Sequence, residues 1–509
     1  MRRRIEILLG VGLGLSLGFV GFRDDRFFGD DLLGYSENRR VGSPTNSIFD
    51  SFSDVGSEKW RPIHAPLHWL TLRLIGDSYV GFQVLSMFLI GIVGVFSGLL
   101  LRQLRQHETL HGFDWWTLIG VFFVVSSNFT WMSQSTIFGI LELGPVILTL
   151  ISLRFLFKSW SANSRIESVY AAILIALAGL IHERFIIVAP ILALCSYLHS
   201  RHEPGFRGLW LGFLGGPLFY FYSTQLVLRI DSLRGGGEER LRSTAGTWIL
   251  GRIVRSVEFM LGGNGLVPAF IDAGSVGNSY STWVGDSPLN VARFLVVLLV
   301  VAMVAMMTFR RIRKQYSQRR PVRISPSLTL FAVAIGSLIP SATVSSRIEP
   351  RWLYFSLVIA VVLIQHHLWL SRKSLKGITF CVIVLSAALL ASLQFWDKQN
   401  YEYFLDQRIR SQILFQQVED VAPISGGWYF RIDSCSSDNC VPVGAYDGDI
   451  YWMTGYLRMF HKYLGNPPLN DDQSIGVPGC PLVLVSVRDL RNDTSSKVEL
   501  QTCIELLKK

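Results

Sequence analysis

Tyr79-Val80-Gly81-Phe82-Gln83-Val84-Leu85-Ser86-Met87-Phe88-Leu89-Ile90-Gly91-Ile92-Val93-Gly94-Val95-Phe96-Ser97-Gly98-Leu99-Leu100-Leu101, residues 79–101, runs without one Asp, Glu, Lys or Arg and stops at Arg102. At about 1.5 Å of rise per residue, a run of this length makes a helix that crosses the roughly 30 Å hydrocarbon core of a bilayer. A helix is required there, because lipid offers no partner to open backbone N–H and C=O groups.

Working outward, runs of the same kind recur on both sides, at 5–22, 115–131, 140–157, 170–181, 185–198, 209–228, 291–309, 326–344, 354–370 and 378–395. The composition agrees: half of the 509 residues are hydrophobic, 17% are charged and the mean hydropathy is +0.35, too apolar for a water-soluble chain of this length. The predicted fold class is therefore membrane all-α, with about 11 transmembrane helices.

The net charge of +10 does not point to nucleic acid, since the basic residues lie in short clusters between apolar runs and not on one soluble face. They set orientation instead. Arg2, Arg3 and Arg4 precede the first run and place the N-terminus in the cytoplasm by the positive-inside rule. Alternation then puts 102–114, 158–169, 199–208, 310–325 and 371–377 on the same side, each with a Lys or Arg. The weakest step is the pair of short runs flanking Ile181-His182-Glu183-Arg184, which could instead form one broken hairpin and would then invert everything after it. Gly21-Phe22-Arg23-Asp24 lacks a small-x-small cleavage site, so the first run is read as a retained helix and not a signal peptide.

Three segments fall outside: loops at 23–78 and 229–290, and a tail at 396–509. Cys435, Cys440, Cys480 and Cys503 all lie in the tail, an even set suited to two disulfides in an oxidising compartment. Zinc is the rival reading, without a Cys-x-x-Cys pair to support it. Strand-like runs at 427–432 and 481–487, with helical patches around 450–464 and 496–507, predict a small extracytoplasmic α+β domain. The chain divides as a transmembrane catalytic domain, 1–395, and this tail, 396–509. Neither a P-loop nor a GxGxxG occurs.

The first loop opens with Arg23-Asp24-Asp25-Arg26-Phe27-Phe28-Gly29-Asp30-Asp31. Four carboxylates just past a span can shift one another's pKa, hold a divalent cation or supply a general base; the bland alternative is a solvated loop neutralised by neighbouring arginines. Further on, Trp60-Arg61-Pro62-Ile63-His64-Ala65-Pro66-Leu67-His68-Trp69-Leu70 places Ile63, Leu67, Leu70 and Leu74 on one helical stripe and Arg61, His64, His68 and Thr71 on another. That pattern predicts an interfacial helix with one face in lipid and one toward water. His64 and His68, four apart, have metal-ligand spacing but no assigned third ligand.

These residues carry a resemblance. A basic N-terminus, one span, a loop with a Gly-Asp-Asp acidic pair, an Arg-Pro before an amphipathic helix and many further spans together resemble the GT-C superfamily of glycosyltransferases, multispan enzymes related to protein O-mannosyltransferases and lipid A aminoarabinose transferases. His182-Glu183-Arg184 looks like a polar break of that family, and Ser346-Arg347-Ile348-Glu349-Pro350-Arg351-Trp352-Leu353-Tyr354 looks like its late Arg-aromatic segment, with Arg-Trp in place of the usual Arg-Tyr. The resemblance covers about 1–395.

It implies transfer of a sugar from a polyprenyl-phosphate donor to a glycan, lipid or protein acceptor at the outer face of the cell membrane. It further implies Asp30 or Asp31 as general base, Arg61, Arg184 and Arg351 on the donor phosphate, and Glu142 and Glu183 as second acids. His64, His68 and Glu349 would be accessory. Arginine suits phosphate because its planar fork stays protonated; each of the three could equally snorkel at the interface, and Glu142 could cap its helix. The arginines of the 229–290 loop would close over lipid phosphate or rest on anionic headgroups. Rival functions are an O-antigen polymerase or ligase using lipid-pyrophosphate glycans, and a transporter, which would hold its charges at mid-membrane.

Overall fold

The computed structural model describes residues 5–20, 61–76, 78–105, 114–127, 139–200, 208–233, 271–272, 324–344, 347–348, 350–371, 429–432, 481–486 and 497–502, with Ile253, Ser256, Val257 and Met260. The described helices are α1 (Ile5–Val20), α2 (His64–Ile75), α3 (Tyr79–Leu104), α4 (Trp115–Val125), α5 (Gly139–Ala162), α6 (Arg165–Ile181), α7 (Val188–Ser200), α8 (Gly215–Leu233), α9 (Pro326–Gly336), α10 (Ile339–Val344) and α11 (Pro350–Ser371). Three-residue-per-turn helices at Glu183–Phe185 and Leu209–Leu214 precede α7 and α8. The runs expected at 291–309 and 378–395 lie outside the described residues. Each other expected run holds helix, with three departures. Within the described part of the 115–131 run the helix ends at Val125, before Ser126 and Ser127; the 326–344 run is interrupted between Gly336 and Ile339, and the run opening at Leu209 continues to Leu233, past the expected start of the loop.

Local chemistry sets several starts. Ser78 accepts a hydrogen bond from the Gly81 amide at 3.0 Å, Asp114 from Thr117 at 3.2 Å and Ser325 from Leu328 at 3.3 Å, the last ahead of Pro326 at the first helical position. Such caps satisfy amides that a helix start leaves unpaired. By length and composition, three described stretches can cross a membrane, Val80–Leu104, Gly139–Ala162 and Glu183–Ser200. Ile90, Val93, Leu143, Leu150, Leu153, Val358 and Ile359 fill the centre, while Phe88, Ile166, Phe221 and Tyr222 face outward, an apolar exterior that lipid covers. The protein is a membrane protein.

Contacts between helices fix their relative direction. The Gln103 side chain donates to the Arg154 carbonyl at 2.9 Å, Lys158 pairs with Glu167 at 2.9 Å, and the Trp160 and His199 rings stack at 4.3 Å. So the end of α3, the end of α5, the start of α6 and the end of α7 share one end of the bundle. The Asp114 amide donates to Glu6 at 3.3 Å and Arg105 to the Gln365 carbonyl at 3.0 Å, which adds the starts of α1 and α4 and the end of α11. At the opposite end, Tyr354 donates to the Val124 carbonyl at 3.0 Å and the Phe185 and Phe355 rings meet at 5.1 Å. Relative to one another, α1, α3, α4, α5, α6, α7 and α11 thus point in the directions that the expected order of runs requires. α6 and α7 thus run antiparallel beside α5 and meet at His182–Arg184.

A buried clasp ties the first of these ends together. Arg105, its side chain fully enclosed, donates to Asp114 at 2.7 Å and Thr117 at 3.2 Å and lies over the Trp369 ring at 5.2 Å. Near the other end, Ile271–Asp272 (β1) pairs antiparallel with Arg347–Ile348 (β2), joining the 229–290 loop to the approach of α11.

The chain divides into two compact units, Met1–Asp24 with Ile48–Asn400, and Asp25–Ser47 with Tyr401–Lys509. In the second, β3 (Tyr429–Ile432) pairs parallel with β4 (Pro481–Ser486), which pairs antiparallel with β5 (Lys497–Thr502). The helical patch expected around 496–507 is therefore a strand at 497–502. Its Lys-Val-Glu-Leu-Gln-Thr pattern alternates polar and apolar residues with period two, which suits a strand better than a helix. The patch at 450–464 and Cys435, Cys440, Cys480 and Cys503 lie outside the described residues.

Candidate functional site

Four chain segments far apart in sequence meet at the end of the first unit marked by Phe185 and Tyr354. Glu142 sits in the first turn of α5, His182, Glu183 and Arg184 form the junction of α6 and α7, Arg351 begins α11, and Arg61 leads into α2. The junction is shaped by its own imidazole: His182 leaves the helix in an extended conformation and caps the short helix that follows, accepting from the Arg184 amide.

Charge alternates along the cluster. Arg61 grips Glu183 with two parallel hydrogen bonds, Nε to Oε2 at 2.6 Å and Nη2 to Oε1 at 2.7 Å. His182 Nδ1 lies 3.1 Å from the same Glu183 Oε2. On its other side His182 Nε2 accepts from Arg184 Nε at 3.1 Å, and Arg184 Nη2 reaches both Glu142 oxygens at 2.8 and 3.1 Å. Arg351 Nε approaches Glu142 at 3.8 Å, and the Arg184 guanidinium lies 5.3 Å from the centre of the Trp352 ring.

Burial pushes His182 down to about 4, with Arg184 adding to the effect, so the imidazole is neutral at neutral pH. The ring lies between two charged neighbours, with Nδ1 beside Glu183 and Nε2 accepting from Arg184. Among the described residues, three guanidiniums face two carboxylates. Such a site suits an anion whose oxygens can share the guanidinium forks.

Arg61, Arg184 and Arg351 thus come together, with Glu142 and Glu183 between them. Both acids are committed to arginine; they hold the cluster and are poor candidates for second acids. Asp30, Asp31 and Glu349 lie outside the described residues.

The α2 helix corrects one expectation. His68 and Thr71 are buried against the protein while Leu70 and Leu74 are exposed, so the polar stripe faces the bundle and not water, and the apolar stripe is left for lipid. α2 packs on α5, and the Ile63 amide donates to the Leu180 carbonyl at 3.4 Å, holding its start beside the junction. His64 and His68 stack, ring centres 5.3 Å apart. Among the described residues no group of three His, Cys, Asp or Glu could hold a metal ion.

The sequence reading passed over Tyr220 on α8, which is close enough to Arg61 and Glu183 to feel their charges. Its signal was a hydroxyl-bearing ring at Tyr220 three residues after the Gly-Gly-Pro that opens α8.

No family profile matches the chain, and no curated protein matches it. Among solved structures, it is similar to ArnT from Cupriavidus metallidurans bound to undecaprenyl phosphate, at 14% identity and a TM-score of 0.47, covering 95% of this chain and 93% of that one. It is also similar to the Archaeoglobus fulgidus oligosaccharyltransferase solved with Zn and sulfate, at 12% identity and a TM-score of 0.46, covering 89% of this chain and 61% of that one. The archaeal AglB, in complex with an inhibitory peptide and a dolichol-phosphate, matches at 12% identity and a TM-score of 0.45, covering 91% and 64%. The chain spans about three fifths of the archaeal enzyme's length. Both neighbours are GT-C glycosyltransferases, the superfamily that the motifs resemble. With TM-scores under one half, neither likeness fixes fold or function for this chain.

Proposed function

We propose that the protein is a GT-C-type membrane glycosyltransferase that takes a sugar from a polyprenyl-phosphate donor and passes it to an acceptor at the outer face of the membrane. The observation that carries this reading is the meeting of Arg61, Arg184 and Arg351 around two carboxylates at one end of the bundle.

In the reaction, the acceptor hydroxyl oxygen bonds to the anomeric carbon, the anomeric carbon–phosphate oxygen bond breaks, and its electron pair leaves with the phosphate. The arginine cluster stabilises that growing negative charge, which is worth most where water is excluded. Arg61 and Arg184, clamped by Glu183 and Glu142, give the anion fixed donors, and Arg351, 3.8 Å from Glu142, adds a third guanidinium. The hydroxyl proton goes to a carboxylate, assigned to Asp30 with Asp31 beside it in sequence, in an inverting displacement. The described cluster does not suit a divalent cation, as its carboxylates already serve arginine; a cation held by the acids of 24–31 is compatible with the scheme. The N-terminus is cytoplasmic and the tail extracytoplasmic in this reading.

The test is an in vitro transfer assay with a panel of polyprenyl-phosphate sugars, comparing the parent with Asp30→Asn and Asp31→Asn. Loss of the base is expected to slow transfer roughly 10²- to 10⁴-fold. Undiminished transfer in both variants removes the base assignment, and a parent inactive on every donor overturns the donor class.

A further inference from the structure

His64 is buried at Nε2, and that nitrogen has no hydrogen-bond partner. Its surroundings are well determined. The Ile63–Leu180 hydrogen bond and the Arg61–Glu183 fork pin the start of α2 to the α6–α7 junction, and the near-parallel stack on His68, 20° between ring planes, sets the ring's orientation. The charged and titratable groups around it are His68, Arg61, His182 and Glu183, three of which belong to the arginine cluster. Glu183 has no oxygen to spare, since Arg61 takes both and His182 shares one. A buried polar atom left unpaired is costly, and one that survives in a rigid setting calls for an explanation.

We infer that His64 is a further phosphate-binding residue, whose Nε2–H donates a hydrogen bond to an oxygen of the substrate phosphate held by the arginine cluster. The inference rests on the reading of that cluster as a phosphate site. Burial, followed by His68, Arg61 and His182, holds the His64 imidazole well below its usual range; a neutral ring donates one N–H without adding charge beside the guanidiniums. The three guanidiniums of the cluster favour an anionic oxygen over a neutral hydroxyl as the partner, and an anion in turn selects the tautomer protonated on Nε2. Within the cluster, His182 has both nitrogens engaged, so the vacancy on His64 marks the side from which the ligand comes.

The experiment uses the full chain in detergent, with a sugar-free polyprenyl monophosphate as probe, inorganic phosphate as a second probe, and the variants His64→Ala, His64→Asn and Arg351→Gln. Without ligand, His64→Ala is expected to melt no lower than the parent, because the unpaired nitrogen contributes nothing to the free protein. Its affinity for the lipid phosphate should fall roughly 10- to 100-fold, the range for a hydrogen bond to a charged group, and His64→Asn, which keeps an N–H donor, should recover part of that loss. Inorganic phosphate showing the same His64 dependence places the contact on the phosphate itself. If His64→Ala binds like the parent while Arg351→Gln binds weakly, the inference is overturned and the phosphate site stands. If His64→Ala is unstable without ligand and His64→Asn binds no better than His64→Ala, the role is structural and the inference fails. A parent that shows no saturable binding overturns the site reading itself.

Discussion

Glu142→Gln should make the protein less stable and its site hungrier for phosphate. Glu142 is only 6% exposed, accepts from Arg184 at 2.8 and 3.1 Å and faces Arg351 at 3.8 Å. The amide keeps the shape and removes the charge, so Arg184 loses its carboxylate while still buried; breaking such a pair typically costs about 3–5 kcal/mol. The same change makes the cluster more positive by one unit. For a phosphate charge roughly 5–8 Å from the removed carboxylate, at an effective dielectric of about 20, that is worth about 2–3 kcal/mol, or a 30- to 150-fold gain in affinity. Thermal unfolding in detergent with and without polyprenyl phosphate reads both effects. The variant should melt lower alone and be raised further by the ligand than the parent is. A variant that melts with the parent, or gains no more from the lipid phosphate, would refute the cluster as an anion site.

Two further outcomes concern stability. Asp114→Asn leaves Arg105 buried without its counter-ion and should cost about 3–5 kcal/mol, whereas the double change Arg105→Met with Asp114→Leu should cost much less; a double-mutant cycle by denaturant or thermal unfolding checks this, and additive losses would contradict the clasp. Burial takes His68 down to about 4, so the unfolded chain binds its proton more readily. The stability this residue contributes is complete above about pH 6.5 and is lost as pH falls toward about 4; the pH dependence of the melting temperature should flatten over that window in His68→Leu.

Much of the helical order was legible because apolar runs long enough to span a bilayer leave few alternatives, and the alternation they imply is met by independent contacts such as Trp160 on His199. Harder to read were features set by neighbours and not by local pattern. The break after Gly336 depends on the start of α11, where the Ser337 and Ser356 hydroxyls meet. The 497–502 strand needed β4 as a partner before its alternation meant anything. At the site, Arg61, Glu142, Glu183, Arg184 and Arg351 could be picked out as charges at helix ends, since ionisable groups there need a reason. Their pairing could not, because Arg61 and Glu183 lie on segments that only the packing of α2 and α6 brings together. The Arg105–Asp114 clasp was passed over altogether: a segment between spans reads as solvated, and nothing local shows that Arg105 is enclosed.

The position of charge along α11 has a consequence for depth. Arg351 belongs to the anion cluster and Gln365 to the opposite clasp, and the intervening turns measure only about 21 Å at about 1.5 Å per residue. A bilayer's oily layer is roughly 30 Å thick. At least one polar layer must then lie below the headgroups, or the membrane must pinch inward around the protein. Where the sunken layer is the one at Arg351, a lipid-borne phosphate reaching it sits several ångströms beneath its fellows, in surroundings where each guanidinium pulls harder than it could in water.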